Sequence, residues 1–434
     1  MARTPSMRVF RHRAYLLYWI MRQLVSGGRQ MTAVAIGWQA YETARVTRSI
    51  EESALILGFI GLAQFAPVFL LSLVGGQAAD RLDRKLILMV AGGVRTLAQG
   101  ALIATVFLPP DQSLFYLFVI AIVLGTVNAF TPAASSALYP TLVPRDELPT
   151  AIAWNSLGFQ GAAIFGPAVG GFLFVAGAEY VYAVAGAMSV LALISISFAQ
   201  TPQHVPKKDV HGLSMMIDGL RYVRDNKIVL GAISLDLVVV FFGGVIALLP
   251  VFAKDILHVG AEGLGVLRAA PAAGAAVVAF VFAARPLSRR VGKWMFASIA
   301  VYGAAMLVFG ASKLFWVSIA ALAVSGAADM ISVYVRSSLI QLATPDAMRG
   351  RVSSVSFIFI SASNELGEFE SGVAARFLGP IGAVLLGGVV AIAAAGLWVR
   401  LFPALWRADK IEETEELLAT DPAPKRRGDP VKLT

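Results

Sequence analysis

The sequence predicts an all-α polytopic membrane protein whose twelve transmembrane helices form two six-helix bundles, and three observations carry that prediction. Of 434 residues, 57% are hydrophobic and 15% charged, with a mean hydropathy of +0.73, more apolar side chain than a water-soluble core can hide. The apolar residues fall into runs of about 20 or more, the length an α-helix needs to cross roughly 30 Å of hydrocarbon, and such runs recur about twelve times along the chain. Lysine and arginine gather on one side of the resulting topology, as the positive-inside rule requires.

The N-terminal tail, 1-13, holds Arg3, Arg8, Arg11 and Arg13. The apolar segment behind it is long, carries Arg22 and Arg29 and has no small-residue cleavage site, so it reads as the first span, 14-43, and not as a removed signal peptide. Spans at 53-79, 86-108, 112-140, 146-175 and 178-199 complete a first bundle, 14-199. A polar connector, 200-226, leads to spans at 227-253, 262-284, 293-312, 314-343, 347-375 and 380-402, the second bundle (227-402), and then to a tail, 403-434. Twelve crossings put both termini on one side. Segments on that side carry twenty-five Lys and Arg, the opposite loops five: Arg45, Arg48, Lys254, Lys313 and Arg376. Both termini are therefore expected in the cytoplasm. The formal charge of +9 is then a topology signal with attraction to anionic lipid heads as its consequence, not a nucleic-acid footprint. With no cysteine, disulfides and thiolate metal sites are excluded; His12, His204, His211 and His258 lie in tails or loops, which argues against a histidine metal site.

The connector is the longest polar stretch, with Pro202, Pro206, Lys207 and Lys208. Within it Leu213, Met216, Ile217, Leu220 and Val223 recur at helical spacing, which fits an amphipathic helix at the membrane interface as well as a solvated linker. Gly125/Gly326, Pro144/Pro345, Gly166/Gly367 and Gly171/Gly372 are each separated by 201 residues, the mark of parallel halves. After Trp406 the tail places Glu412, Glu413, Glu415 and Glu416 before Lys425, Arg426 and Arg427, a short helix followed by disorder.

Two motifs stand out. The loop after the second span reads Gly75-Gly76-Gln77-Ala78-Ala79-Asp80-Arg81-Leu82-Asp83-Arg84-Lys85, small residues for close helix approach and a charged turn able to form and break ion pairs. Here the chain resembles the major facilitator superfamily, whose corresponding loop has the pattern G-x-x-x-D-R-x-G-R-K. Gly76, Asp80, Arg81, Arg84 and Lys85 match, and Asp83 stands where the pattern has glycine. The resemblance implies the major facilitator fold and a cytoplasmic gate in which Asp80 latches against the start of span eleven. The fifth span carries Gly166-Pro167-Ala168-Val169-Gly170-Gly171, where proline removes a helix hydrogen bond and glycines permit bending and close packing. Its G-P-x-x-G-G core is similar to the motif of the superfamily's antiporters, with Ala162 in place of an expected glycine; gly-rich packing alone is the other reading.

Ionisable side chains at membrane depth are costly and are functional candidates. They are Arg22, Arg29 and Arg95 in the first half, and Asp236, Arg268, Asp329, Arg336, Glu365, Glu368 and Glu370 in the second. Arg22, Ser26 and Arg29 share a face with Gln23 and Gln30 beside it, a cationic stripe. Position along the spans pairs Arg268 with Glu368 or Glu370, and Asp236 with Arg336, as static salt bridges or as moving ones. Three glutamates within six residues outnumber the nearby cations, so one of them is expected to bind a proton reversibly: Glu365 or Glu368 first, then Asp236, with Glu370 a further candidate. Candidate lining of a substrate cavity comprises Arg22, Ser26, Arg29, Gln30, Asn128, Asp329 and Arg336, with Arg268 as charge partner; Trp19, Trp38, Gln39, Gln64, Phe130, Asn155 and Gln160 either contribute to it or simply pack.

Pro140-Thr141-Leu142-Val143-Pro144 and Gln341-Leu342-Ala343-Thr344-Pro345-Asp346-Ala347-Met348-Arg349-Gly350-Arg351-Val352 resemble the branch of the superfamily that contains enterobactin exporters and macrolide efflux proteins. That resemblance implies proton-coupled export from the bacterial cytoplasm across the inner membrane by alternating access, with no cofactor and no ATP; no Walker-type loop is present, in agreement. The expected partners are a small-molecule substrate, protons and the lipid bilayer, with no nucleic acid, and the expected state is a monomer. The cationic stripe suits an anionic or catechol-bearing siderophore, the acidic second half a cationic drug. Divalent-cation export at Glu365, Glu368 and Glu370, and a non-transporting scaffold or receptor on the same fold, are the alternatives. No nucleophile, base and metal constellation of an enzyme appears.

Overall fold

The computed structural model describes residues 7–202, 212–285, 287 and 289–407, apart from the side chains of 212–216 and of some positions between 342 and 361. His204, Pro206, Lys207, Lys208, His211, the Arg349 side chain and the tail from 408, with its Glu412 to Arg427 charges, lie outside the described residues.

A 3-10 turn at Met7–Arg11 precedes six long helices: α1 Arg13–Arg45, α2 Ile50–Arg81, α3 Arg84–Thr105, α4 Pro110–Leu138, α5 Leu148–Phe174 and α6 Ala178–Phe198. The connector forms α7, Gly212–Asp225. The second half comprises α8 Lys227–Phe242 with a broken continuation to Ile256, α9 Gly260–Ala284, α10 Val291–Ala311, α11 Phe315–Ala343, and the run Asp346–Leu401 followed by a short α14, Pro403–Arg407. That run turns at Gly379, where φ is +74°; only glycine enters this region without strain, and Pro380 then opens a new helix with its preset φ. We therefore divide it into α12 (346–378) and α13 (380–401).

Ten of the described helices are long and apolar enough to span a bilayer, with 362–401 as one of them. Dividing that run at Gly379 and adding α1 gives the twelve crossings. The 33-residue α1 is long enough, but Arg22, Arg29 and its amides dilute its apolarity. Phe165, Phe172, Phe280, Trp316 and Phe377 are 61–81% exposed, a surface that only lipid can cover.

One expected span is present but broken. The segment 227-253 is not a single helix: α8 stops at Gly243 and Gly244 and continues as a 3-10 turn, Val245–Leu248, and a π-turn, Phe252–Ile256. A Cβ on Gly244 would stand 2.1 Å from the Gly367 carbonyl oxygen, so α8 unwinds where α12 presses against it. Irregular backbone at membrane depth is tolerated where protein buries it or where it lines a cavity.

The 201-residue pairs do the same job in each half. A Cβ on Gly125 would stand 2.1 Å from the Gln64 carbonyl, joining α4 to α2, while one on Gly326 would stand 1.9 Å from the Pro271 carbonyl, joining α11 to α9. Gly166 packs α5 on α1 at Gln30, and Gly367 packs α12 on α8 at Val240. Gly171 and Gly372 cross between the halves, the first onto α9 at Ala261, the second onto α2 at Gly58. Backbones this close need the missing side chain.

The end remote from the termini is where the halves join. The largest buried apolar cluster draws on both, with Trp38, Leu57 and Leu117 beside Phe252, Leu264 and Phe309. At the termini end each half keeps clusters of its own, around Tyr15 and Tyr18 in the first and around Leu235 and Ile340 in the second. Polar ties reinforce the junction: Lys254 pairs with Glu42 at 3.0 Å, Arg376 with Glu52 at 3.3 Å and Arg45 with Asp255 at 3.6 Å, while the Tyr41 hydroxyl donates to Asp255 at 2.5 Å. With Arg48 paired to Asp111 inside the first bundle, four of the five cations on this face are neutralised locally.

Candidate functional site

Between the halves lies a cavity of about 230 Å³ whose wall comes from α1, α2, α3, α4, the broken part of α8, α9 and α12. The first half contributes Arg29 and Gln30, Gln64, Arg95 and Gln99, and Asn128; the second contributes Ile246, Ala247 and Pro250 from the unwound segment, Arg268 from α9, and Glu365 and Glu368 from α12. The unwinding of α8 thus turns an otherwise continuous helix into cavity wall, a common device of transporter sites.

One wall is cationic and its side chains are held. Arg95 is 5% exposed and donates to the Asn128 carboxamide oxygen at 3.0 Å. One turn on, Gln99 is 2% exposed and donates to the Thr32 hydroxyl at 2.8 Å, and its own carboxamide oxygen is buried without a partner. A buried acceptor left open costs about 1–3 kcal/mol. Arg29, by contrast, is exposed to the cavity although it lies deep in the bundle. The facing wall is mixed. Arg268 interacts electrostatically with both Glu368 and Glu365, and the Glu368 carboxylate lies 3.3 Å from where a Cβ of Gly61 would stand. The glycine on α2 is what lets this acid approach the first half. Three guanidinium groups and two carboxylates therefore share one cavity, where a dielectric lower than that of water strengthens every interaction.

Glu370 lies about 140° round α12 from Glu365 by helical spacing and is not part of this wall. Arg268 consequently faces Glu365 and Glu368. Asp236 and Arg336 form an ion pair with both residues buried, 6% and 4% exposed. Asp236 lines a second, smaller cavity inside the second bundle, together with Tyr302 and Asp329. Asp329 and Arg336 are thus separate from the central cavity.

Arg22 and Ser26 also lie off that cavity's wall. Arg22 donates to the Ser135 hydroxyl at 3.1 Å and to Tyr18 at 3.3 Å, clamping α1 to α4. Of the further polar and aromatic candidates, Gln64 and Asn128 line the cavity. Gln39 instead completes a buried network with Thr105, Ser113 and Tyr182, and Trp19 stacks edge-on with Phe10 and Trp154.

The charged turn after α2 is a set of helix caps. Asp83, in place of glycine, accepts from the backbone N–H groups of Lys85 and Leu86 and caps the start of α3. Arg84 donates to the Ala137 carbonyl at 2.9 Å at the end of α4, and Lys85 to the Ser197 and Ala199 carbonyls, both at 2.8 Å, at the end of α6. Cations at helix C-termini meet orphan carbonyls and the negative dipole end. Asp80 is half-buried, Arg81 exposed, and Gly76 has open space beside it. In α5, Gly166, Pro167, Gly170 and Gly171 are buried; Gly170 packs on Met31 of α1 and Gly171 on α9.

Sequence reasoning marked Arg95 as an ionisable group at depth and left it outside the cavity list; Gln99 it passed over. The available signal was their i, i+4 spacing on α3, which puts both on one face.

A family model described as transmembrane secretion effector matches residues 4–427. The enterobactin exporter EntS of Citrobacter koseri is 28% identical over 344 residues, covering 78% of this chain and 79% of that protein. Among solved structures, a POT family transporter in complex with 5-aminolevulinic acid superposes with a TM-score of 0.70 at 11% identity, covering 91% of this chain and 96% of the other. A bacterial homologue of the human lysosomal transporter Spinster, inward-facing and unoccupied, gives 0.67 at 14% identity, covering 94% and 98%. At these identities the structural likeness bears on the fold.

Proposed function

The chain belongs to the transmembrane secretion effector family of the major facilitator superfamily, and from that premise we propose that it exports a small amphipathic molecule, a siderophore or a drug-like compound, from the bacterial cytoplasm by proton antiport and alternating access. It is a multi-pass membrane transporter and not an enzyme. The proposal places both termini in the cytoplasm and treats one chain as the working unit.

The observation that supports this reading best is the opposition of Arg29, Arg95 and Gln99 to Glu365 and Glu368 across one cavity. Antiport requires cargo and proton to compete for one place. A proton added at Glu365 or Glu368 makes the cavity more positive, which by itself would favour a purely anionic cargo and couple the two in the same direction. Competition follows when the cargo presents a hydroxyl donor or a cation to these carboxylates while its acceptor or acidic group meets Arg29 and Arg95. A hydroxyl-rich siderophore and an amphipathic drug with a cationic group both satisfy that demand. The relatives named as enterobactin exporters favour the first.

The divalent-cation alternative loses its premise, since Glu370 does not join the other two glutamates. Among the described residues no group of three or more candidate ligands could hold a metal ion.

The test is flux in proteoliposomes under an imposed pH gradient. Accumulation of a catechol siderophore or a cationic dye that collapses with the gradient is the expected result. Binding without gradient-dependent flux would replace the proposal with a scaffold or receptor on this fold.

A further inference from the structure

The connector helix α7 is fastened to the second bundle along one face and bare along the other. On the fastened face, a Cβ on Gly219 would stand 2.8 Å from the Arg351 carbonyl oxygen, Val223 is 3% exposed, and the Tyr222 hydroxyl donates to the Ala343 carbonyl. Asp218 accepts from Arg351 at 3.0 Å. Ala343 ends α11, Arg351 lies in the second turn of α12, and Asn226, next after α7, caps the start of α8. All three points are span ends, so α7 is held at the level where helices leave the hydrocarbon, the headgroup layer.

The bare face carries Ile217, Leu220, Arg221 and Arg224, at i, i+3, i+4 and i+7. Ile217 and Leu220 are 49% and 48% exposed, and both arginines are exposed. Arg224 pairs with its neighbour Asp225 at 3.2 Å, with the arginine side chain 74% accessible, so that pair holds its charge only weakly. Two aliphatic side chains flanked by guanidinium groups, fixed at headgroup height, match an anionic bilayer surface. The aliphatics enter the boundary with the acyl chains, and the arginines meet phosphate oxygens.

We propose that this face of α7 is a binding surface for anionic phospholipid headgroups in the leaflet on the termini side, and that lipid bound there steadies the start of α12 through Asp218 and Arg351. Because α12 runs without a break from Arg351 to the glutamates, about 21 Å along the axis to Glu365, leaflet charge gains a lever on the central cavity. The proposal is independent of which cargo is carried.

The chain has no cysteine, so Ile217→Cys provides a single spin-label position in the full-length protein. Its collision rates with oxygen, which partitions into lipid, and with a water-soluble nickel chelate are compared in vesicles of phosphatidylcholine alone and with added phosphatidylglycerol. Oxygen is expected to dominate with phosphatidylglycerol present, and a nickel-accessible component to grow without it. Arg221→Gln with Arg224→Gln is expected to move the embedded-to-exposed ratio about twenty-five-fold, each cation contributing about fivefold. A label open to nickel in both vesicles would overturn the proposal. So would a label shielded from both reagents, since protein would then cover the face. Should the double variant fail to fold, the two vesicle compositions still decide with the native arginines.

Discussion

Asp255 ties the two halves together through two partners at once, and replacing it by alanine gives a quantitative test. Its carboxylate takes the Tyr41 hydroxyl hydrogen bond at 2.5 Å and the Arg45 ion pair at 3.6 Å, and both partners belong to the other half. A hydrogen bond to a charged group contributes about 1.5–3 kcal/mol, and a partly exposed ion pair about 0.5 kcal/mol. Asp255→Ala therefore weakens the closed junction by about 2–3.5 kcal/mol, a shift of roughly 30- to 400-fold toward separation at this end. Tyr41 is 0% exposed, and its stranded hydroxyl pushes the effect toward the upper figure. Spin labels at Phe107→Cys and Lys313→Cys, exposed loop positions at this end of the two halves, read the separation as a distance distribution by pulsed electron resonance. The control is Asp111→Ala, which breaks the Arg48 pair inside the first bundle and should leave the distribution alone. If Asp255→Ala leaves it unchanged, or shifts it no more than the control does, the junction is not held by these contacts and the energetic reasoning fails.

Three further outcomes are expected. Glu365→Gln and Glu368→Gln, singly or together, should abolish pH-gradient-driven export while sparing cargo exchange at equal pH; full gradient-driven transport in both would remove these acids from the coupling role. Arg95→Gln should raise the transport KM by about tenfold to a hundredfold, the range of one charged hydrogen bond at about 1.5–3 kcal/mol, with unchanged melting in detergent; an unaltered KM would place the cargo elsewhere. Arg336→Met strands the buried Asp236 carboxylate at a cost of about 3–5 kcal/mol, read as a lowered melting temperature, and adding Asp236→Leu should recover most of it. A single variant as stable as the parent would show that the pair carries no such strain.

The fold was legible because the bilayer imposes a simple rule, about 20 apolar residues per crossing, and eleven of the expected spans correspond to helices close to their anticipated bounds. The division of the last run at Gly379 falls between the expected spans 347-375 and 380-402. The break in α8 was harder to see: Gly243-Gly244 and Pro250 were present in the sequence, yet glycine pairs recur throughout this chain, and the cause is a neighbour, Gly367, more than a hundred residues away. The 201-residue repeat was visible as spacing, and only the packing revealed that Gly125/Gly326 and Gly166/Gly367 make equivalent contacts within their own halves while Gly171 and Gly372 reach across to the other half.

For the site, the sequence identified costly side chains but not their company. That Arg29, Arg268, Glu365 and Glu368 needed an interior followed from the price of charge in hydrocarbon, which depends on one residue and its depth. Which of them share a cavity depends on the rotation of each helix about its axis and on which helix lies beside it, quantities set by close contacts such as Gly61 with Glu368 or Gly219 with Arg351. Hence Arg22, on the same sequence face as Arg29, became a clamp on Ser135, while Arg95 and Gln99 entered the wall from α3. Composition and charge placement alone settled that the chain crosses a membrane many times. The tertiary structure decided where the charges meet, because side-chain direction is a property of packed helices and not of the spans read one at a time.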